Sequence, residues 1–462
     1  MNSTWTIDAS LVARYNKAGP RYTSYPTAVD FTTDFTTADF ARALKSEKDQ
    51  EWSVYIHIPF CESPCFYCGC NKQITRDHTL SKPYLEALFR EIDGVAAMLR
   101  PKPRVSQIHF GGGTPTFITD IQIASLLSKL RQWFDLDHSD GREFSIEIDP
   151  RTVDVERLVL LHHLGFNRIS LGIQDLDPKV QAAVNRVQSA EQSFSLIKKA
   201  HELGMSGVSV DLIYGLPFQT PESFKNTIDQ VIQAKPDRIS LYSYAHLPSR
   251  FKPQRQIAFD DLPKPEVKLS LLVQAIEALT GAGYVYIGMD HFALENDSMV
   301  KAQREGRLQR NFQGYSTHGG LNLLGFGVSA ISKVGNVYAQ NAKVVAIYEH
   351  MINRLGMAIE RGVNVTDDDQ VRARVIERIL CHGALDYSEV ESREHVDFER
   401  YFGAELEQLK RLEKDGLLHF ERRGFALSPM GRLLMRNVAM CFDARLHRHS
   451  QAAGTGRFSQ SV

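Results

Sequence analysis

Apolar positions along this chain switch between two periods in a regular rhythm. The runs "WSVYIHIPF", "VSQIHF", "EFSIEIDP", "RISLGIQD", "VSVDLIYGLP" and "RISLYSY" are short, apolar or alternating, and predict strands. Between them, "PYLEALFREIDGVAAML", "TDIQIASLLSKLRQWF", "DVERLVLLHHLGF", "SAEQSFSLIKKAHELGM" and "TPESFKNTIDQVIQA" repeat apolar residues at helical spacing. Strands that alternate with helices predict βαβ units and a parallel sheet. No compact GxGxxG follows the first strand, whereas chemically active residue types recur at the C-terminal ends of several strands. Sites form at that edge in open sheets and in barrels alike. The expected fold is α/β, a partial (β/α)6-type barrel rather than a dinucleotide-binding sheet.

The flanks follow other patterns. Residues 1–50 form an arm, with irregular "YNKAGPRYTSYPTAVDF" followed by a short helix at "TTADFARALKSE". The arm carries Arg21, Tyr22 and Tyr25, and either covers a site or packs against the body. The barrel with its extension is expected over 51–335, where "KPEVKLSLLVQAIEALTGAGY" predicts a helix and "YIGMDHFA" a strand running into a loop. Residues 336–462 predict a mostly helical domain, with two short strands and a helix in "LLHFERRGFALSPMGRLLMRNVAMCF" as a small β wing.

The chain has 462 residues, 43% of them hydrophobic, enough for a large core, and a formal net charge of -1. That balance argues against a general nucleic-acid or membrane partner. No apolar run is long enough to span a bilayer. The opening "MNSTWTIDAS" lacks the basic region and apolar stretch of a signal peptide, so a cytoplasmic location is expected. In a reducing compartment a disulfide framework is not expected.

Cysteine usage sharpens the picture. Four of the six cysteines, at 61, 65, 68 and 70, fall within "YIHIPFCESPCFYCGCN". Three metal assignments compete. Zinc asks for four ligands, usually in two Cys pairs, and no second pair follows. A ferredoxin-type cluster asks for four cysteines, commonly one of them remote; Cys381 and Cys441 lie in a different domain and suit buried apolar filler. Three sulfurs in one CxxxCxxC loop bind three corners of a [4Fe-4S] cube and leave one iron open to a small molecule.

"CESPCFYC" resembles the cluster loop of the radical S-adenosylmethionine (SAM) enzymes. The resemblance extends through "GPRYTSYPT", "HIPFC", "CGCN", "GGGTPT", "IEIDP", "FNRISLGIQD", "DLIYGLP", "IGMDHFA", "NFQGYSTH", "YAQN" and "RNVAMCFD", which look like the oxygen-independent coproporphyrinogen III oxidases. The alternative is the haem-chaperone branch of the same superfamily, which binds haem without decarboxylation. That branch commonly has an "HN-x-x-YW"-like stretch where this chain has "RNFQGYST".

The resemblance implies Cys61, Cys65 and Cys68 as cluster ligands, with Cys70 beside the site and not a ligand. Gly111, Gly112, Gly113 and Thr114 either make a tight turn or meet the methionine end of SAM. Glu147 is a carboxylate in an otherwise apolar strand, either paired at the site or on a wet face. Gln174, next to Asp175, matches a SAM contact, and Arg186 offers its fork of donors to the SAM carboxylate. Asp211 suits ribose hydroxyls or a nearby cation. Tyr55 belongs to the core or faces the cofactor, where the resemblance implies a catalytic position. Phe66 and Tyr67 shield the loop and stack near adenine, and Gly69 gives it freedom. The 311–318 loop has neither period; Phe312, Gln313 and Ile331 match contacts to a second SAM.

The implied reaction removes two propionates without oxygen. A hydrogen atom is taken from the β carbon by a 5'-deoxyadenosyl radical made from SAM, carbon dioxide and an electron leave, and a vinyl group remains. Coproporphyrinogen III becomes protoporphyrinogen IX. A low-potential electron donor, an unidentified electron acceptor and a monomeric enzyme are implied as well.

Overall fold

The computed structural model describes residues 8–47, 51–99, 102–446 and 460. The expected arm therefore includes residues 1–7 and 48–50, which lie outside the described residues.

All six expected strands form: β1 Glu51–Ile58, β2 Arg104–Gly112, β3 Glu143–Ile148, β4 Arg168–Gln174, β5 Gly207–Tyr214 and β6 Arg238–Ser243. They pair in parallel and in chain order. The expected helices connect them: α3 Ser81–Ala96, α4 Asp120–Trp133, α5 Val155–His163, α7 Ala190–Glu202 and α8 Pro221–Ala234, after α1 Ala9–Tyr15 and α2 Thr37–Ser46 in the arm and with a short α6 Pro178–Ala183 before α7. Local chemistry sets several starts. Thr119 and Gln122 close a capping box ahead of α4, and Thr220 accepts the Ser223 N–H ahead of α8.

Strand alternation decides what faces the concave interior. On β4, Ile169, Leu171 and Ile173 are buried, while Ser170, Gly172 and Gln174 are half-buried. The same alternation leaves Ser145 and Glu147 on β3 and Ser209 and Asp211 on β5 half-buried. Register then sets these polar positions side by side: Ser145 neighbours His109, Glu147 neighbours Ser170, and Gly172 neighbours Asp211.

The sheet is larger than the sequence pattern predicts. Beyond β6 it gains an antiparallel pair, β7 Tyr284–Gly288 and β8 His291–Leu294, where "YIGMDHFA" predicts one strand and a loop. Beyond β1 it continues through β9 Asn322–Phe326, β10 Ile331–Val334, β11 Val337–Asn341 and β12 Ile359–Asn364. Every residue of β9 and β11 is buried, so neither carries the alternation that marks a half-exposed strand. The sheet thus runs past residue 335 and ends on β12. The 311–318 stretch is not purely a loop: Gln309–Asn311 and Gly314–Ser316 pair as an antiparallel hairpin.

The C-terminal part is mostly helical. It includes helices Val345–Leu355, Asp367–His382, Tyr387–Glu394, Gly403–Lys414 and Met435–Cys441. Its β wing has three strands, since Ala384–Asp386 joins Leu418–Glu421 and Gly424–Leu427. The arm lies along this part. Arg14 donates to Asp415 at 2.9 Å, Tyr22 donates to Asp443 at 2.9 Å, and the Tyr25 hydroxyl accepts the Ala444 N–H at 3.1 Å.

One buried acid ties the new sheet edge to α3. Glu91 accepts from Gly327 N–H at 2.8 Å, Tyr348 hydroxyl at 2.6 Å and Asn341 Nδ2 at 2.5 Å. Burial pushes its carboxyl up to about 7 despite these three donors. Among the described residues, no helix is long and apolar enough to cross a membrane.

Candidate active site

A cavity of about 480 Å³ opens at the C-terminal ends of β1 to β6. The loop that leaves β1 places Cys61, Cys65 and Cys68 on its wall, with Tyr67 and Cys70 beside them. Each of the three sulfurs has a donor. Thr114 Oγ1 lies 3.4 Å from Cys61 Sγ, Arg186 Nη1 lies 3.3 Å from Cys65 Sγ, and Cys70 N–H lies 3.5 Å from Cys68 Sγ. Arg151 Nη2 adds a second, longer contact to Cys65 Sγ at 3.7 Å.

These contacts tune the thiols differently. Burial pushes the Cys61 thiol up to about 11. Cys68 is shifted toward thiolate, first by the Cys70 side chain and then by Lys72, while Cys70 is held as a thiol by the same pairing. Among the described residues, no group of three or more His, Cys, Asp or Glu side chains is placed to hold a metal ion. Three separate thiols on one cavity wall, each facing an N–H or O–H donor, do fit an iron–sulfur cube, whose sulfurs are stabilised by hydrogen bonds and nearby positive charge. The remote cysteines take no part. Cys381 is fully buried in an apolar cluster with Ile287 and Tyr315, and Cys441 points its sulfur at Asn437 O, 3.5 Å away.

The glycine-rich turn meets this loop closely. Gly112 has φ +117°, and a Cβ there would sit 2.8 Å from the His57 ring. At Gly113 a Cβ would sit 2.7 Å from Pro59 O, a rigid backbone atom at the start of the cysteine loop. Gly113→Ala should therefore push the loop aside and cost on the order of 1–3 kcal/mol. Reduced iron incorporation alongside a lower unfolding midpoint would register that shift. Gly111 packs on Glu147.

The polar wall comes from β3, β4 and β5. Glu147 accepts from Gly112 N–H at 3.2 Å and lies 3.1 Å from His109 Nε2. Asp211 accepts from Ser170 at 3.3 Å, and burial, with Glu147 nearby, pushes it up to about 7. Gln174 holds φ +68°, an uncommon conformation for a residue with a side chain, at the end of β4. Its neighbour Asp175 turns away into the core, where Gln219 and Thr227 donate to it at 2.5 and 2.8 Å. Arg186 is fully engaged: it bonds Asp149 at 3.1 Å and Gly172 O at 2.6 Å as well as Cys65. Burial opposes its charge, but Tyr67, Asp149 and Cys65 hold it above the usual guanidinium range.

Other expected site residues stand off the cavity wall. Tyr55 stacks on His109 with ring centres 5.8 Å apart and pairs its hydroxyl with His57 Nδ1 at 3.0 Å. Phe66 packs against the apolar cluster of Val180, Ile213 and Tyr244, and Gly69 lies under the Phe251 ring. Phe312 sits edge-on to Phe31 and Tyr338, and Ile331 is paired with Gln340 at the start of β10. Gln313 stands in the hairpin turn with its Nε2 buried and unpartnered. The structure adds residues that sequence reasoning did not single out: Asp149, Arg151, Lys72 and Tyr242 line the cavity. Asp149 and Arg151 do carry a signal, since they follow β3 in "IDPR" and so fall at the site edge of the barrel.

A partial barrel with three such cysteines after its first strand is the architecture of the radical SAM superfamily, whose profile matches residues 55–231; that of the HemN C-terminal domain matches residues 365–434. The chain is 46% identical to the oxygen-independent coproporphyrinogen III oxidase of Pseudomonas aeruginosa over 464 residues, covering 100% of both chains. It is 45% identical to that of Escherichia coli, covering 98% of each, and 40% identical to that of Synechocystis, covering 97% of each. The solved structure of coproporphyrinogen III oxidase (HemN) from Escherichia coli, described as a radical SAM enzyme, superposes with a TM-score of 0.91 at 45% identity, covering 95% of this chain and 99% of that one. The chain belongs to the oxygen-independent coproporphyrinogen III oxidase family.

Proposed function

We propose that this chain catalyses the anaerobic oxidative decarboxylation of coproporphyrinogen III, turning two propionate side chains into vinyl groups and giving protoporphyrinogen IX. The observation that carries this reading is the cysteine loop, with a donor at each of three sulfurs, in a chain matched end to end by enzymes of that name. When bound, a [4Fe-4S] cluster and SAM supply the hydrogen-abstracting radical, which no acid or base in this cavity replaces.

The protein's own groups bind and shield. Cys61, Cys65 and Cys68 hold the cluster, and Cys70 supports Cys68 through its N–H. Glu147 and Asp211 offer carboxylate acceptors to the amino and ribose ends of SAM, and the Gly112–Gly113 turn, its N–H groups bonded to Glu147 and Ile58 O, closes that wall. Arg186 reaches a SAM carboxylate only by sharing its donors with Asp149. Tyr55 acts from behind His57 and His109, as an orienting group. The cavity walls and the arm shield reactive species from bulk water. Phe312, Gln313 and Ile331 serve a second SAM. A low-potential donor feeds electrons in, and the enzyme works as a monomer.

The test is an anaerobic assay with reconstituted cluster, SAM, reductant and coproporphyrinogen III, scored for vinyl product. Haem copurifying with a protein that makes no vinyl product would assign it to the chaperone branch.

The arm closes the site. Arg21 pairs with Asp290 and lies over the Tyr242 ring, 5.6 Å from its centre, and Tyr242 lines the cavity. Deleting residues 1–30 should leave iron content near wild type while raising the ratio of 5'-deoxyadenosine to vinyl product. Unchanged coupling and turnover would refute the covering role.

A further inference from the structure

The loop that carries Cys61, Cys65 and Cys68 is backed by the segment that follows β6, none of whose residues from His246 to Phe259 lines the cavity itself. A Cβ at Gly69 would lie 3.0 Å from the Phe251 ring, and Gln254 Nε2 donates to Tyr67 O at 3.0 Å. The Arg250 guanidinium lies 5.5 Å from the centre of the same Phe251 ring. Between His246 and Phe259 the chain carries Arg250, Lys252 and Arg255 and no acid, and all three cations are exposed.

A second segment, leaving β11, reaches the other end of the cysteine loop. Asn71 Nδ2 donates to Lys343 O at 2.9 Å, and the Lys343 side chain is exposed. Partial burial, then the nearby Arg361 and Arg250, push its ammonium below the ordinary lysine range, with Glu360 opposing. The chain as a whole carries a net charge of only -1, so this concentration of positive charge is local. Like charges gathered at one surface repel one another, and the acids of a partner relieve that repulsion and steer the partner in. Large apolar side chains are exposed among these cations. Phe259 is 77% exposed, its ring 6.4 Å from that of His246, and Val344, beside Lys343, is 54% exposed. Apolar side chains with charge around them are the make-up of a docking face.

Position decides the kind of partner. The face looks to solvent, and only Phe251 and Gln254 separate it from Tyr67 and Gly69, the neighbours of Cys68. Electron tunnelling falls steeply with distance, so a donor protein has to dock where little protein stands between it and the cysteines. We propose that Arg250, Lys252, Arg255 and Lys343, with Phe259 and Val344 beside them, form the docking face for a small acidic one-electron carrier protein. This rests on the function proposed above. One electron leaves the reduced carrier, which is oxidised by one, and passes to the cluster held by the three cysteines, which is reduced by one; no atom is transferred. A patch of this size suits a brief, salt-sensitive encounter.

Lys252→Glu/Lys343→Glu, in the full chain with its cluster reconstituted anaerobically, tests the face. An acidic flavodoxin and an acidic two-cluster ferredoxin serve as probes in calorimetric titrations. Wild type should bind at least one of them, at least about tenfold more weakly when salt rises from ~50 to ~300 mM. At low salt the variant should bind that probe at least about tenfold more weakly than wild type. Iron content, SAM binding and coproporphyrin III binding should match wild type. Bleaching of the cluster absorbance by dithionite should keep its rate, while bleaching by the reduced probe slows. Equal affinity of wild type and variant, or no binding of either probe by wild type, overturns the docking face. Equal slowing with dithionite and with the probe overturns it too, as does weaker coproporphyrin III binding at unchanged probe affinity, which would give these cations to the substrate. Should the variant fail to hold iron, Lys252→Gln/Lys343→Gln, which removes the charges without reversing them, repeats the test with a smaller expected loss. A wild-type protein that makes no vinyl product with dithionite, SAM and coproporphyrinogen III refutes the functional reading instead, a result that probe binding does not depend on.

Discussion

Serine in place of Cys61, Cys65 or Cys68 should abolish cluster assembly, and serine in place of Cys70 should not. The three sulfurs share one cavity wall and each meets a donor, whereas Cys70 supplies one of those donors through its backbone N–H, which a serine keeps. Iron binding must displace a proton from Cys61, whose thiol burial holds at about 11; the gain from the metal bond has to exceed that cost, as it does at thiolate sites generally. Iron content of about four per chain should persist in Cys70→Ser and collapse in the other three. Cys70→Ser should lose at most about 10–100-fold in activity, the usual effect of a supporting group. Iron analysis with optical and paramagnetic resonance spectra on all four variants decides, and equal loss in all four would contradict the three-plus-one arrangement.

Glu91→Ala should destabilise the protein by about 3–5 kcal/mol, because three buried donors lose their acceptor at once. Those donors sit on Gly327, Asn341 and Tyr348, so the damage falls on the sheet edge beyond β1. Glu91→Gln separates ionisation from hydrogen bonding. The carboxyl titrates at about 7 when folded, against 4.5 for the free group, so the folded state holds an extra proton between those values. This contribution is full at pH below about 4.5 and is lost as pH rises to about 7, an amount on the order of 3 kcal/mol. Urea unfolding of wild type and Glu91→Gln across that range should show the wild type losing stability relative to the variant. Parallel curves would mean that Glu91 is already ionised in the folded protein throughout.

The sequence speaks most clearly where burial is one-sided. On β3, β4 and β5 the alternation of apolar and polar residues is visible, and it both locates the strands and marks Glu147 and Asp211 as interior polar groups. On β9 and β11 both faces are covered and the alternation disappears, so these two strands escape notice. The cysteine spacing needs no fold to be legible, because the three proposed ligand positions lie within a single loop. Arg310 is the opposite case. Nothing in "LQRNFQG" distinguishes it from a solvated arginine, and only the folded hairpin shows a half-buried side chain whose Nε and Nη1 are buried without a hydrogen bond. The neighbours that hold Arg186, namely Asp149 just after β3 and the Gly172 carbonyl on β4, likewise meet it only through the fold.

The contacts of the arm impose an order on the making of the enzyme. Tyr22 finds its partner at Asp443, 421 positions later, and Arg14 finds Asp415, 401 positions later. A chain emerging from the ribosome N-terminus first carries the arm past the whole barrel before either partner exists. Closing so long a loop is entropically costly unless the intervening barrel has already brought the ends together. The arm, the proposed cover of the cysteine cavity, is therefore synthesised before the barrel and is among the last segments to lock, which would leave the three cysteines open to iron delivery in the interval between.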